Sequence, residues 1–527
     1  MTKAKPNTYD EVSYPSYPFP QSHPDRLATL ATLFGLKPAR IDNCRVLEIG
    51  CGDGSNLIPM ALLLPKSEFV GVDLAARPVA RGQAMAEALG LRNITLQQLD
   101  IMDLSAEFGQ FDYVIAHGVY SWVPAEARDK LLAICKANLS ANGVAYVSYN
   151  AYPGGHLREM IRGMMQFHVR ELHGADERIG QSRALVSFLA QSQSESDLYG
   201  AILGSLDQEL GRIHDGFVYH DHLSEVNSPV YFHQFISHAS QHGLQYMGEA
   251  DYFDMHHEGS MPQAAEMLRE LGDDHLAREQ YMDFLTCRRF RQTLLCHQDV
   301  GLDRGLNPER ISDLFVASST RAMHREPVVD SRGVEIFQSD KAATLTTNHP
   351  LTKAALLHLG SIWPRALGFN ELLAAARLEL GPSVASRNGD KAPSDGFRLG
   401  EFLLKAYAAN MIELHAHPSQ FAGAASARPV ASPLVRLQLE TGTTVTTLRH
   451  TSVRVTDAIG RHLLMLLDGT RDKQALLEEL GRLVESGQVV MQREGKDILE
   501  AREAMKILTD ELEQNLIKIA RLALLIA

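Results

Sequence analysis

The sequence predicts an α/β protein built on a doubly wound, mostly parallel sheet, with a helical insertion and C-terminal α+β units of winged-helix type. Three observations lead there. The run Val46–Asn56 reads V-L-E-I-G-C-G-D-G-S-N: an apolar stretch holding one acid, glycines at every second position (Gly50, Gly52, Gly54), then a helical pattern. Two later β-rich runs, Glu68–Asp73 and Ile94–Asp100, each end in a carboxylate. Helical and β-rich segments alternate between them and onward, as a parallel sheet with crossover helices requires.

Taken in order, residues 7–38 come first. Tyr9, Tyr14, Tyr17 and Phe19 alternate with Pro15, Pro18 and Pro20, which fix extended backbone. An amphipathic helix follows over Asp25–Leu36. The aromatic arm either packs on the domain or covers a ligand and excludes water from it. A strand at 45–50 precedes a helix from Ser55 to about Leu64. A strand at 68–73 precedes a helix starting near Pro78, where proline suits a first turn. Strands at 93–99 and 111–116, a helix over Ala125–Leu139 and a strand over Val144–Tyr149 complete the first half. Beyond Gly154-Gly155 the pattern is helical from His156 to Leu210, an insertion spanning 166–224. A helix over Pro229–Gly243, a strand over Leu244–Glu249, a helix near 263–284 and a strand over Arg291–His297 follow. The two strands would be the sixth and seventh of one sheet, the last antiparallel. The first domain is therefore expected to be discontinuous, 1–165 completed by 225–300. In 301–421, helices at 350–360, 370–380 and 398–411 with a β-like Met411–His415 suggest a winged helix. Pro382–Gly396 reads as a polar loop and Ala422–Pro433 as a linker. The last unit, 434–527, holds helices over Thr456–Leu467 and Thr470–Leu483, split by Asp468-Gly469. Its terminal helix, Leu499–Ala527, carries an apolar stripe (Met505, Leu508, Leu512, Leu516, Ile519, Leu522) suited to packing or dimerisation.

The glycine turn narrows the ligand. A dinucleotide turn needs G-x-G-x-x-G, but the third position here is Ser55; a phosphate-binding Walker loop needs a lysine that is absent. The pattern is E-x-G-x-G-x-G. Bare glycines let backbone approach a bulky ligand, and Glu48 on the preceding strand suits a cationic one. S-adenosylmethionine has an amino group, a sulfonium and no phosphate. The run resembles motif I of class I methyltransferases, which implies a Rossmann-like, seven-stranded methyltransferase domain. Asp73, with Leu74 after it, stands about 20 residues past the turn, where a ribose diol is held in this architecture. Asp100 resembles the family's contact to the adenine amino group, with Ile101 beside the ring.

The reacting pocket is expected at the next two strand tips. Tyr113–Pro124 crosses the fourth, putting His117, Tyr120 and Trp122 near the transferred methyl. Tyr149, Asn150, Tyr152 and His156 would line the opposite wall. An amine nucleophile must be neutral: for lysine, whose ordinary pKa is about 10.4, this costs roughly 4–5 kcal/mol at pH 7. Burial among aromatic rings recovers part of that, and the rings attract a cation by roughly 0.5–2 kcal/mol. His117 is a candidate for the proton acceptor as well as a cofactor contact.

Composition excludes several classes. Five scattered cysteines in 527 residues suit a reducing cytoplasm and make neither a disulfide framework nor a zinc set. The start of the chain has no apolar h-region, and no apolar run is long enough for a membrane span. Net charge is −13, a surface that repels nucleic acid and membranes. The pairs His220/His222, His256/His257 and His415/His417 lack flanking ligands, so no metal is expected.

The S-W-V-P after the fourth strand, Tyr149–Gly155 (Y-N-A-Y-P-G-G), Pro229–Phe235 (P-V-Y-F-H-Q-F) and Leu244–Ala250 (L-Q-Y-M-G-E-A) are similar to methyltransferases bearing a methyltransferase regulatory domain. The chain also resembles rickettsial protein-lysine methyltransferases that modify outer-membrane protein. The resemblance implies N-methyl transfer to protein lysines and a homodimer. Two rivals are a small-molecule methyltransferase and a non-enzymatic DNA-binding regulator. The latter needs a basic face, whereas Asp340–Ser419 holds eight Lys/Arg against seven Asp/Glu.

Overall fold

The computed structural model describes residues 8–527 except 195, 256–261, 273, 306, 330–331, 382–393, 419, 490–491, 494–495 and 498–500. The pair His256/His257 and most of the Pro382–Gly396 loop therefore lie outside the described residues.

A seven-stranded sheet organises the first 300 residues: β1 (Arg45–Ile49), β2 (Glu68–Asp73), β3 (Ile94–Gln98), β4 (Phe111–Ala116), β5 (Leu139–Asn150), β6 (Leu244–Glu249) and β7 (Phe290–His297). Their order is β3-β2-β1-β4-β5-β7-β6. The first five pair in parallel, and β7 runs antiparallel between β5 and β6. The order reverses between β1 and β4, which opens a crevice at the carboxyl ends of these strands. The expected sheet, with its antiparallel last strand, is present. Strands β1, β2 and β4 are buried on both faces, so their sequences are apolar runs rather than alternations, whereas the edge strand β3 buries only Leu96.

Two cores flank the sheet. One face of β5 carries Val144 and Tyr146, the other Ala145, Val147 and Tyr149, following the two-residue period. The second face is covered by helices Ala125–Asn138 and Phe232–Gln241. On the first face, helix Pro24–Leu33 is buried along almost its full length and shares a core with residues 311–414. Its Asp25 accepts bonds from His415 Nδ1 at 2.7 Å, Ala416 N at 2.8 Å and His417 N at 3.0 Å.

The edge strands are locked by a fully buried guanidinium. Arg291 on β7 bonds Glu249 at 2.6 Å, Asp283 at 2.8 Å and Glu279 at 3.0 Å, with its carbon 4.0 Å above the Phe232 ring. The acids come from β6 and from helix His275–Thr286. This helix is separated from Pro262–Glu270 by a turn at Gly272, where the periodicity predicts one helix near 263–284.

The segment 155–210 folds as three helices, Gly155–His168, Ala175–Gln191 and Leu198–Leu210, around their own small core. Helices Pro350–Ile362, Phe369–Leu380 and Asp395–Ala408 accompany a three-stranded sheet of Leu367–Gly368, Phe315–Ala317 and Glu413–His415. Strands of two and three residues carry no periodic signal. The stretch 422–432 is not a free linker: Ala422 and Ser432 donate backbone bonds to Leu525 and Leu524, both at 2.9 Å. Composition alone cannot reveal pairing with a segment ~100 residues away. The stripe of helix Ala501–Arg521 is spent internally, with Leu508, Leu512, Leu516 and Ile519 in the C-terminal core. Among the described residues no helix is long and apolar enough to cross a membrane.

Candidate cofactor and methyl-transfer site

The glycine turn adopts backbone that L side chains resist. Gly50 has φ +75°, and a Cβ there would stand 2.6 Å from Val119 Cγ2, so conformation and space both demand glycine. Gly52 (φ +54°) and Gly54 share the left-handed region. Gly52 N donates to Asp73 Oδ2 and Ala75 N to Asp73 Oδ1, both at 2.8 Å. Asp73 thus braces the turn from the tip of β2 while each oxygen keeps a lone pair for a diol. Burial raises its pKa. Leu74 next to it is 56% exposed. Asp100 is exposed past β3, its Oδ1 capping the following turn through Met102 N at 3.0 Å, and Ile101 is half-buried beside it. The three sequence-predicted acids therefore lie on β1, at the end of β2 and just past β3, bordering the crevice.

Glu48 differs from the other two. It is buried on β1, and burial pushes its pKa up to about 8. Oε1 accepts from Asn56 Nδ2 at 2.7 Å, whereas Oε2 has no partner. A buried orphan oxygen beside a glycine turn is a polar demand, which a cationic ligand would meet by drawing the carboxyl into its ionised form. The Asn56 amide is fully used. Its NH2 donates to Glu48 and to Ser22 Oγ at 3.0 Å, and its oxygen accepts from Phe19 N at 2.9 Å and His450 Nε2 at 2.8 Å. Three remote parts of the chain meet at one amide: motif I, the arm and the C-terminal unit.

The arm runs along the crevice. Ser16 Oγ is the nearest atom to the empty side of Gly52, at 3.6 Å from an ideal Cβ position. Phe19 stacks on His117 with centroids 3.7 Å apart, and Asp10 Oδ1 accepts from Arg77 N at 3.0 Å. At its far side the arm meets the short π-helical turn Val218–His222. Tyr9 stacks on His220 at 4.1 Å, Tyr14 meets Phe217 edge-on at 5.1 Å, and Tyr14 donates to Asp221 Oδ1 at 3.3 Å. Burial raises Asp221 to about 6, against the pull of Arg158. Burial raises the Tyr9 hydroxyl's pKa, and the charges of Asp221 and Asp73 add to the shift.

Six aromatic or imidazole residues are expected around the methyl, and the structure divides them. His117 is half-buried under Phe19, its Nδ1 2.9 Å from Tyr146 Oη; burial lowers its pKa to about 4, so it is neutral at pH 7 and a poor proton acceptor. Trp122 is half-buried with Arg162 5.5 Å over its ring, and the Arg162 Nη1 bonds the Asp221 carbonyl. Tyr152, past β5, donates to Glu159 at 2.7 Å and stacks on His156 at 4.0 Å. Tyr120 and Tyr149 require correction. Both are buried in the core behind the sheet, packed on Phe235 at 5.0 and 4.1 Å, with hydroxyls on His238 and Thr293. The alternation along β5 sends Tyr149 to the helix-covered face. The turn 120–122 folds Tyr120 back onto the same layer. Asn150 is likewise buried, its amide on Asn227 at 2.8 Å.

Sequence reasoning missed Asn56, His450, Tyr146 and Asp221. Asn56, directly after motif I, was within reach of a motif argument; His450 and Asp221 belong to segments that only the fold brings to the crevice.

Three family models match: a methyltransferase domain over 46–143, a predicted methyltransferase regulatory domain over 214–297, and a C-terminal PKMT winged-helix domain over 427–524. An uncharacterised protein of Rickettsia prowazekii is 34% identical over 513 residues, covering 96% of this chain and 91% of its own. Among solved structures, PKMT2 from Rickettsia typhi in complex with AdoHcy superposes with a TM-score of 0.86 at 26% identity, over 98% of this chain and 100% of that one. A second structure of PKMT2 gives 0.85 at 27% identity over the same shares.

Proposed function

Because the chain belongs to the S-adenosylmethionine-dependent methyltransferases that join a methyltransferase domain to a regulatory domain and a PKMT winged helix, we propose that it methylates lysine side chains of protein substrates. The crevice fits the cofactor: a turn of bare backbone, the orphan Glu48 oxygen and the braced Asp73 carboxylate. In this reading Glu48 faces the cationic part of the nucleoside, Asp73 the ribose, and Asp100 with Ile101 the adenine. When bound, the cofactor supplies an electrophilic methyl on a sulfonium.

The lysine reading rests on Asp221. A carboxylate among Tyr9, Tyr14 and Phe217, across the arm from the glycine turn, matches an ammonium at the end of an apolar stem. Its raised pKa, about 6, makes it a stronger proton acceptor than an ordinary carboxylate, yet leaves it mostly ionised at pH 7. Asp221 would draw the ammonium in and take the proton that must leave before the amine attacks. Trp122, joined to residue 221 through Arg162, would line the wall beside it. Phe19 over His117 excludes water from the crevice.

The test is incubation of the full chain with methyl-labelled cofactor and a lysine-rich unstructured polypeptide, read by mass spectrometry. Label on lysine side chains is expected. Label entering only a metabolite fraction supplied in the same reaction would replace the lysine reading with a small-molecule one. Asp221→Asn should lower turnover by about 10²-fold or more with cofactor affinity unchanged; undiminished turnover removes Asp221 from the site.

A further inference from the structure

On the side of the sheet away from the arm, one exposed carboxylate oxygen gathers two imidazoles. Asp129 Oδ1, on helix Ala125–Asn138, lies 2.9 Å from His242 Nε2 and 3.4 Å from His238 Nε2. His238 is in helix Phe232–Gln241, and His242 follows four residues later as its C-cap. The four-residue spacing puts both rings on one helix face. The three ligand atoms lie within 4.8 Å of one another. Both histidines are mostly covered, with side chains 23% and 18% exposed, while Asp129 is 63% exposed.

We propose that Asp129, His238 and His242 form a binding site for one zinc-class divalent cation that clasps helix Ala125–Asn138 to helix Phe232–Gln241. Two imidazoles and a carboxylate are a ligand set that suits such cations. Tetrahedral bonds of about 2.0–2.2 Å set neighbouring ligand atoms roughly 3.3–3.5 Å apart, so the 2.9 Å contact would spread slightly and the pair of imidazoles, within 4.8 Å, would settle to the same spacing. The open fourth position faces solvent beside Asp129, where water completes the shell.

The outer shell is also present. His238 Nδ1 lies 2.9 Å from the Tyr120 hydroxyl. To bind the cation, each imidazole presents an unprotonated Nε2 and carries its proton on Nδ1; for His238 that proton then points at the Tyr120 oxygen. Such a bond fixes ring orientation and tautomer. The cation would tie Tyr120, and through it the turn that follows β4, to the regulatory segment. In the sequence the site is carried by His238-x-x-x-His242 and not by the closely spaced histidine pairs, from which no metal is expected. Among the described residues His220 is instead taken up by the Val12 carbonyl and the Tyr9 ring, and His415 by Asp25.

The test uses the full chain, stripped with chelator and titrated separately with zinc chloride and cobalt chloride. One equivalent is expected to bind, cobalt giving the visible absorption of a four-coordinate site and zinc raising the melting temperature. His242→Ala should weaken the site at least tenfold. Asp129→Asn, at an exposed position where folding is not at stake, should do the same. Zinc affinity and cobalt spectra unchanged in both variants, or no bound equivalent in the parent, would overturn the proposal.

Discussion

Glu48 sits in an environment unlike water. Its neutral form is favoured by burial, and Oε1 already has Asn56. The consequence for pH has a definite sign. A carboxyl raised from its ordinary value of 4.5 to about 8 contributes stability that is complete below pH ~4.5 and is lost as pH rises towards 8. Glu48→Gln keeps the acceptor for Asn56 and removes the ionisation. The variant should therefore gain on the parent, by a few kcal/mol at most, between pH ~5 and ~8, and the gap should flatten above; denaturant melts across that range measure it. A gap independent of pH would mean Glu48 is ionised in the fold. At this scale the sequence told unevenly. Glu48, Gly50, Gly52, Gly54 and Asp73 were legible because motif and spacing fix backbone and acid together. Tyr120 and Tyr149 were misread because a strand tip does not say which face a ring takes, and Asp221 was invisible because only tertiary folding brings residue 221 beside the arm.

Elements were more legible than residues. Strands such as β1, β2, β4 and β5 stand out as apolar runs bounded by turns, since each is long enough to bury a recognisable stretch. The two- and three-residue strands around 315–322 and 367 do not, because their pairing, and not their composition, makes them strands. The β6–β7 edge illustrates a second limit. Nothing in R-Q-T-L-L-C-H announces that Arg291 will be wholly buried with three acids. Removing it strands those carboxylates in a low-dielectric core. Arg291→Ala should destabilise the chain by about 3–5 kcal/mol, read as a shift in the urea midpoint. A shift within about 0.5 kcal/mol, typical of a surface change, would refute the edge-lock account.

At the scale of the whole molecule, the helix Pro24–Leu33, the arm and His450 tie together units that composition and periodicity suggest are separate. Asn56 joins the arm and the C-terminal unit to motif I, so cofactor occupancy and the packing of both are expected to respond together. A homodimer, which the family resemblance implies, would need an apolar face to bury. Phe167, Phe188 and Leu198, 66–77% exposed and all in the three-helix insertion, are the apolar surface it would cover. The double variant Phe167→Ser/Phe188→Ser should sediment as a monomer and keep its cofactor affinity. A parent that is monomeric at the same concentrations would remove the dimer from the account.

The central claim is that the glycine turn and the acids of β1–β3 hold the nucleoside of S-adenosylmethionine. Calorimetric titration of the full chain with S-adenosylhomocysteine, alongside Asp73→Ala, tests it most directly. The account predicts one site per chain and a loss of about 1–3 kcal/mol in the variant, whose ribose bonds are gone. Equal affinity in the two proteins, or no binding by the parent, would contradict it.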